Sequence, residues 1–126
     1  MRKKVGIVNY GMGNLQSVKN VLDHMSVESF LVEDEYVLKK TKYLILPGVG
    51  SFNKAMENLN NQNLVKGIRE FVKNKKNKLL GICLGMQLMG KASKEDGNTS
   101  GLGLVEMSFN LFPVKKNFSP RIDPLT

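Results

Sequence analysis

The chain has 126 residues, and 19 Lys+Arg against 11 Asp+Glu give it a net charge of +8. That length suits one domain with a core large enough to need no covalent staple. Its single cysteine, Cys83, excludes an internal disulfide, and Cys83 with the lone His24 cannot supply the four ligands of a structural zinc site.

The longest apolar runs, residues 43–47 and 79–84, fall far short of the ~20 residues that cross a bilayer. The basic start Met1-Arg2-Lys3-Lys4 is followed by Asn9, Gly11, Gly13 and Asn14 before any signal-like apolar stretch develops. The expectation is a soluble, cytoplasmic protein with no membrane partner. Lys73, Lys75, Lys76 and Lys78 cluster where a helix should end, without interleaved aromatics and in a chain with no tryptophan. Cations there complement a helix dipole, so no nucleic-acid partner is expected.

Along the chain, Val5, Ile7 and Val8 form a short strand closed by the turn Asn9-Tyr10-Gly11-Met12-Gly13-Asn14. Asn14 suits an N-cap, and Leu15, Val18, Val21, Leu22 and Met25 follow at helical spacing. A second strand is predicted over residues 30–33 and a short helix over 35–40. Residues 43–46 make a clearer third strand, stopped by Pro47-Gly48-Val49-Gly50. Ser51 caps the next helix, with Ala55, Met56 and Leu59 on one face; polar residues 58–63 read as a break, and helical spacing resumes over 64–73. The fourth strand covers 79–82, a helix covers 84–91, residues 92–101 read as a loop, and 102–107 as a further strand.

Strands alternating with helices through glycine-rich turns predict an α/β fold: a doubly wound, mostly parallel sheet covered on both faces. From Phe112 the pattern decays among Pro113, Pro120 and Pro124. The reading is therefore a partial domain over residues 1–110 and an irregular tail over 111–126.

The most informative segment is Leu79-Leu80-Gly81-Ile82-Cys83-Leu84-Gly85-Met86-Gln87. An apolar strand enters Gly-x-Cys-x-Gly and leaves as a helix, the layout of a nucleophile elbow with cysteine in place of serine. Glycines two positions either side allow the backbones to approach where a Cβ would not fit. The sulfur then stands at the carboxyl edge of the sheet beside a helix N-terminus, a setting that suits nucleophilic attack on a carbonyl. The Leu84 N–H is placed to receive the oxyanion, and the turn Gly48-Val49-Gly50, on the same edge, can supply a second donor.

These residues, together with Pro47-Gly48-Val49-Gly50-Ser51-Phe52 and the opening Val5-Gly6-Ile7-Val8-Asn9-Tyr10-Gly11-Met12-Gly13-Asn14-Leu15, resemble the class I glutamine amidotransferases. Within them the opening is similar to the glutaminase subunits of imidazole glycerol phosphate synthase, of the histidine pathway. The resemblance covers residues 1 to about 110 and implies a flavodoxin-like sheet. It further implies glutamine hydrolysis through a cysteinyl thioester and delivery of ammonia to a (β/α)₈-barrel cyclase in a heterodimer, without cofactor or metal. By position it implies Cys83 as nucleophile, Leu84 with Gly48, Val49 and Gly50 as oxyanion hole, and Gln87 and Gly50 as glutamine contacts. Asn9, Tyr10, Gly11, Met12 and Asn14 would face the partner and the ammonia route.

The family's base and its carboxylate come from a His-x-Glu element near the C-terminus. These residues hold no such element, and residues 115–126 do not match the family's continuation. The expectation is a frameshift, a stop or a fragment, with little or no glutaminase activity in the isolated chain. His24 does not replace the base: ten helical residues carry it about 15 Å from the carboxyl edge, and proton transfer needs about 3 Å.

Other readings stay open. Relatives of this subunit also supply ammonia in surface-polysaccharide synthesis. A non-catalytic partner-binding module is another, as is a nucleotide-binding one. The last rests on Gly11-Met12-Gly13 with Glu33 and Asp34 about 20 residues on, although the third glycine position holds Gln16.

Overall fold

The computed structural model describes residues 4–90, 92–93, 99–104 and 108–109. Four strands, β1 (Lys4–Val8), β2 (Glu28–Val32), β3 (Tyr43–Leu46) and β4 (Lys78–Gly81), form one sheet in the order β2-β1-β3-β4. All three pairings are parallel. Helices α1 (Leu15–His24), α2 (Glu35–Lys39), α3 (Phe52–Asn61), α4 (Leu64–Phe71) and α5 (Leu84–Leu88) make or follow the crossovers.

Alternation along each strand sorts the core into two layers. Ile7 and Ile45 point to one face, where they meet Leu22 with Leu15 and Val18 of α1. Val8, Leu44 and Leu46 point to the other, where Leu38, Phe52, Leu59, Leu64 and Ile68 of α2, α3 and α4 cover them. Helices on both faces of a parallel sheet are the predicted architecture. The α1 face is the thinner layer: Leu31 and Leu80, beside Ile7 and Ile45 in the register, stay 44% and 57% exposed.

Several boundaries move for physical reasons. β2 begins at Glu28 rather than 30, because five-residue pairing with β1 recruits Glu28 and Ser29 opposite Lys4 and Val5. The break expected over 58–63 shrinks to Gln62 and Asn63. α3 runs on to Asn61, with the side chains of Asn58 and Gln62 donating to carbonyls of the 9–10 loop and of Glu33. α5 ends at Leu88, three residues before the expected 91.

Residues 92–101, expected as loop, hold two short strands, β5 (Ala92–Ser93) and β6 (Thr99–Ser100), which with β7 (Ser108–Phe109) form a small sheet in the order β6-β5-β7. Leu102, Gly103 and Leu104, expected to start a strand, instead donate their N–H groups to Leu88 O, Gly90 O and Met89 O. The segment satisfies carbonyls at the end of α5, and Arg69 fixes it by donating to Leu102 O (2.8 Å) and Gly101 O (3.3 Å). The rest of the expected 102–107 strand, and the 111–126 tail, lie outside the described residues. Among the described residues, no helix is long and apolar enough to cross a membrane.

Candidate active site

Parallel strands bring their carboxyl ends to one edge of the sheet, where the loops after β1, β3 and β4 converge. Cys83 sits between β4 and α5 with φ 53° and ψ −120°, and it is exposed. A non-glycine residue in that backbone region is strained, at a cost of about 1–3 kcal/mol, and such strain persists where the surroundings over-determine it. The surroundings here are the two flanking glycines. A Cβ on Gly81 would lie 2.7 Å from Met86 Cα and 2.8 Å from Met86 N. A Cβ on Gly85 would overlap the Leu46 carbonyl oxygen and stand 2.7 Å from its carbon. The sharp turn closes only because both positions lack a side chain, and it leaves the sulfur outside the packed layers.

The turn after β3 lies directly beside it. Gly48 is buried, and a Cβ there would overlap the Tyr10 hydroxyl and press on Leu84 Cβ at 3.1 Å and Gly85 N at 3.2 Å. Val49 is exposed and Gly50 has φ +110°, a conformation only glycine adopts freely. Gly48 O accepts a hydrogen bond from Leu84 N at 3.1 Å. The Leu84 N–H, read from sequence as an open oxyanion donor, is thus occupied in this structure, and the turn must release it before it can serve a ligand. Gln87, half-buried, lies one turn into α5, its N–H directed to Cys83 O at 3.4 Å.

The loop after β1 completes the edge. Gly11 and Gly13 have φ +83° and +109°, and a Cβ on Gly13 would stand 3.2 Å from both Cα and N of Gly48. Gly13 serves contact between two loops rather than an open phosphate cradle, a Cβ on Gly11 would meet Asn58 Nδ2 of α3 at 3.4 Å, and Glu33, one of the two acids of the nucleotide reading, accepts from Asn9 Nδ2 at 2.5 Å. Gly11 and Asn14 are exposed and Asn9 and Met12 half-exposed, but Tyr10 turns inward. The residue is 2% exposed and its hydroxyl donates to Pro47 O at 2.5 Å. Burial pushes its phenol well above the ordinary tyrosine range. Asn14 caps α1 by accepting from Ser17 N at 3.1 Å. His24 closes the far end of that helix, away from the edge that carries Cys83.

The edge therefore unites a strained exposed cysteine, a glycine turn against it and a second loop locked to that turn. A model of the CobB/CobQ-like glutamine amidotransferase domain matches residues 4–122. The chain belongs to that family of glutamine amidotransferases. This amidotransferase chain is 50% identical over 101 residues to the imidazole glycerol phosphate synthase subunit HisH of Geobacillus sp. (strain WCH70), covering 80% of itself and 47% of that protein. It is 47% identical over 102 residues to the subunit of the same name from Bacillus subtilis (strain 168), covering 81% and 48%. A crystal structure of a glutamine amidotransferase superposes with a TM-score of 0.70 at 23% identity, over 82% of this chain and 54% of that one, a likeness of fold. The amidotransferase chain spans about half the length of the curated relatives it matches.

Tyr10, Asn58 and Gln62 were legible in the sequence only as a loop aromatic and as helix-breaking polar residues. Their shared role in holding the two loops together depends on contacts 37, 48 and 53 positions apart, which no local pattern announces.

Proposed function

We propose that this chain carries the nucleophile half of a glutaminase that supplies ammonia to a synthase partner, the role of imidazole glycerol phosphate synthase glutaminase subunits. The observation that carries the reading is Cys83, exposed and strained on a turn that Gly81 and Gly85 alone permit.

The sulfur of Cys83 attacks the carboxamide carbon of glutamine. The proton taken from the thiol passes to the leaving nitrogen as the C–N bond breaks, ammonia departs, and a γ-glutamyl thioester remains for water to hydrolyse to glutamate. The tetrahedral oxyanion is received by the Leu84 N–H and by backbone N–H groups of the Gly48-Val49-Gly50 turn, once Gly48 O has left Leu84. Gln87 and Gly50 contact the bound glutamine. Asn9, Gly11, Met12 and Asn14 face a (β/α)₈-barrel cyclase, and ammonia passes to it along that side. The proton acceptor comes from outside these 126 residues, since their only histidine is His24.

A chimera tests this. Residues 4–104, joined to the remaining half of the Bacillus subtilis relative, should release ammonia from glutamine when mixed with that organism's cyclase subunit, and the Cys83→Ala form should not. A folded chimera that binds the cyclase but leaves glutamine intact would contradict the reading.

A further inference from the structure

We infer that Tyr10 is a positioning residue that keeps the Leu84 N–H occupied: it locks the Pro47–Gly48 peptide and so couples the 9–14 loop to the turn beside Cys83. Its catalytic consequence rests on the glutaminase reading; the lock itself rests on geometry alone.

Two successive carbonyls of the turn are each held by a hydrogen bond from a different element. Pro47 O accepts from the Tyr10 hydroxyl at 2.5 Å, and Gly48 O accepts from Leu84 N at 3.1 Å. The space beside Gly48 is filled: a Cβ there would meet the Tyr10 hydroxyl, Leu84 Cβ and Gly85 N, and a Cβ on Gly13 would meet the Gly48 backbone. Turning the Gly48 carbonyl away from Leu84 means rotating peptide planes about Gly48, and the phenol fixes the first of them. Tyr10 in turn is fixed from behind. Asn58 Nδ2 donates to Tyr10 O at 2.9 Å, and Gln62 Nε2 donates to the adjoining Asn9 O at 3.0 Å.

A buried phenol needs an acceptor, and this one takes a single carbonyl of the neighbouring loop. Here that carbonyl begins the turn whose next carbonyl blocks the candidate oxyanion donor. The backbone of the 9–14 loop carries the phenol. Movement there reaches Gly48 through one hydrogen bond. The chemistry of the linkage is local: loss of the hydroxyl leaves Pro47 O unsatisfied, removes one of the two anchors and lets the Gly48 carbonyl swing.

Amide hydrogen exchange by NMR on the 126-residue chain separates this from a purely structural role. The reference is Ile82 N, which donates to Leu46 O at 3.0 Å on the same sheet end but outside the turn. In Tyr10→Phe the Leu84 amide should exchange about tenfold faster relative to Ile82, the effect of one buried hydrogen bond. Asn58→Ala, which keeps the hydroxyl and loosens the loop behind it, should accelerate Leu84 in the same sense by a smaller factor, and it carries the test if Tyr10→Phe does not fold. Equal acceleration of Leu84 and Ile82, or an unchanged Leu84, would overturn the lock. The assay contains no glutamine, so its failure leaves the glutaminase reading standing, and an inactive chimera leaves the lock standing.

Discussion

Gly85→Ala places a methyl group where the chain has no room. An ideal Cβ on Gly85 overlaps the Leu46 carbonyl oxygen, stands 2.7 Å from its carbon and 3.2 Å from Pro47 O. All three are backbone atoms, so no rotamer change relieves the contact; α5 and the end of β3 must separate. Leu46 O is also the acceptor for Ile82 N at 3.0 Å, so the displacement strains the bond by which β4 leaves the sheet. Overpacking of this kind costs typically about 1–3 kcal/mol, and the backbone character of the clash puts it at the upper end. The weakened hydrogen bond adds about 1 kcal/mol, and the better helix propensity of alanine returns about 1 kcal/mol. The net loss is about 3 kcal/mol, which for a chain of this length lowers Tm by about 12 °C. Thermal unfolding followed by circular dichroism reads it directly. Gly103→Ala is the control, since nothing lies within 4 Å of its Cβ position and only its φ of +69° opposes a side chain; it should cost about 1 kcal/mol. A Gly85→Ala protein within 3 °C of the parent would refute the argument that these glycines exist to close the elbow.

Cys83→Gly removes the Cβ that makes a φ of 53° costly, and it should raise stability by about 1 kcal/mol, or Tm by about 4 °C; a fall in Tm would show that the turn stores no strain. Tyr10, held neutral by burial, titrates higher in the folded than in the unfolded chain. Its contribution is complete below the unfolded value of about 10 and is lost above it by about 1.4 kcal/mol per pH unit. Urea unfolding at pH 9.5 and 11 should therefore show a drop that Tyr10→Phe lacks, and identical drops in both proteins would contradict the buried assignment. The 126-residue chain alone should release no ammonia from glutamine above background, because His24 ends α1 about 15 Å from the edge that carries Cys83; a coupled ammonia assay that detects turnover would place a base within these residues.

The elbow was legible from sequence because its constraints are local. Gly81 and Gly85 lie two positions from Cys83, and an apolar run leads into them, so spacing alone carries the turn. The layers were legible for the same reason: Ile7 against Val8, and Ile45 against Leu44 and Leu46, alternate at the strand period. What escaped depends on distant partners. Tyr10 sits in a six-residue turn with no periodicity to say which way it points, and its acceptor is 37 positions away. Asn58 and Gln62 read as part of a break because residues 58–63 are mostly polar, whereas loop carbonyls beside α3 accept hydrogen bonds from both side chains. Leu102 and Leu104 alternate like a strand but find the open carbonyls of α5 before any sheet edge. The occupied Leu84 amide was invisible for a similar reason: sequence places donors at a helix start but not the carbonyl that reaches them first.

The proposed function requires that Cys83 Sγ take the acyl group of glutamine. Intact-mass and peptide mapping of the chain treated with a γ-diazoketone analogue of glutamine measure it most directly. A single adduct on Cys83 is expected, formed more slowly when excess glutamine is present and absent in Cys83→Ser. Modification at a rate indifferent to glutamine, or an adduct on any other residue, would contradict it.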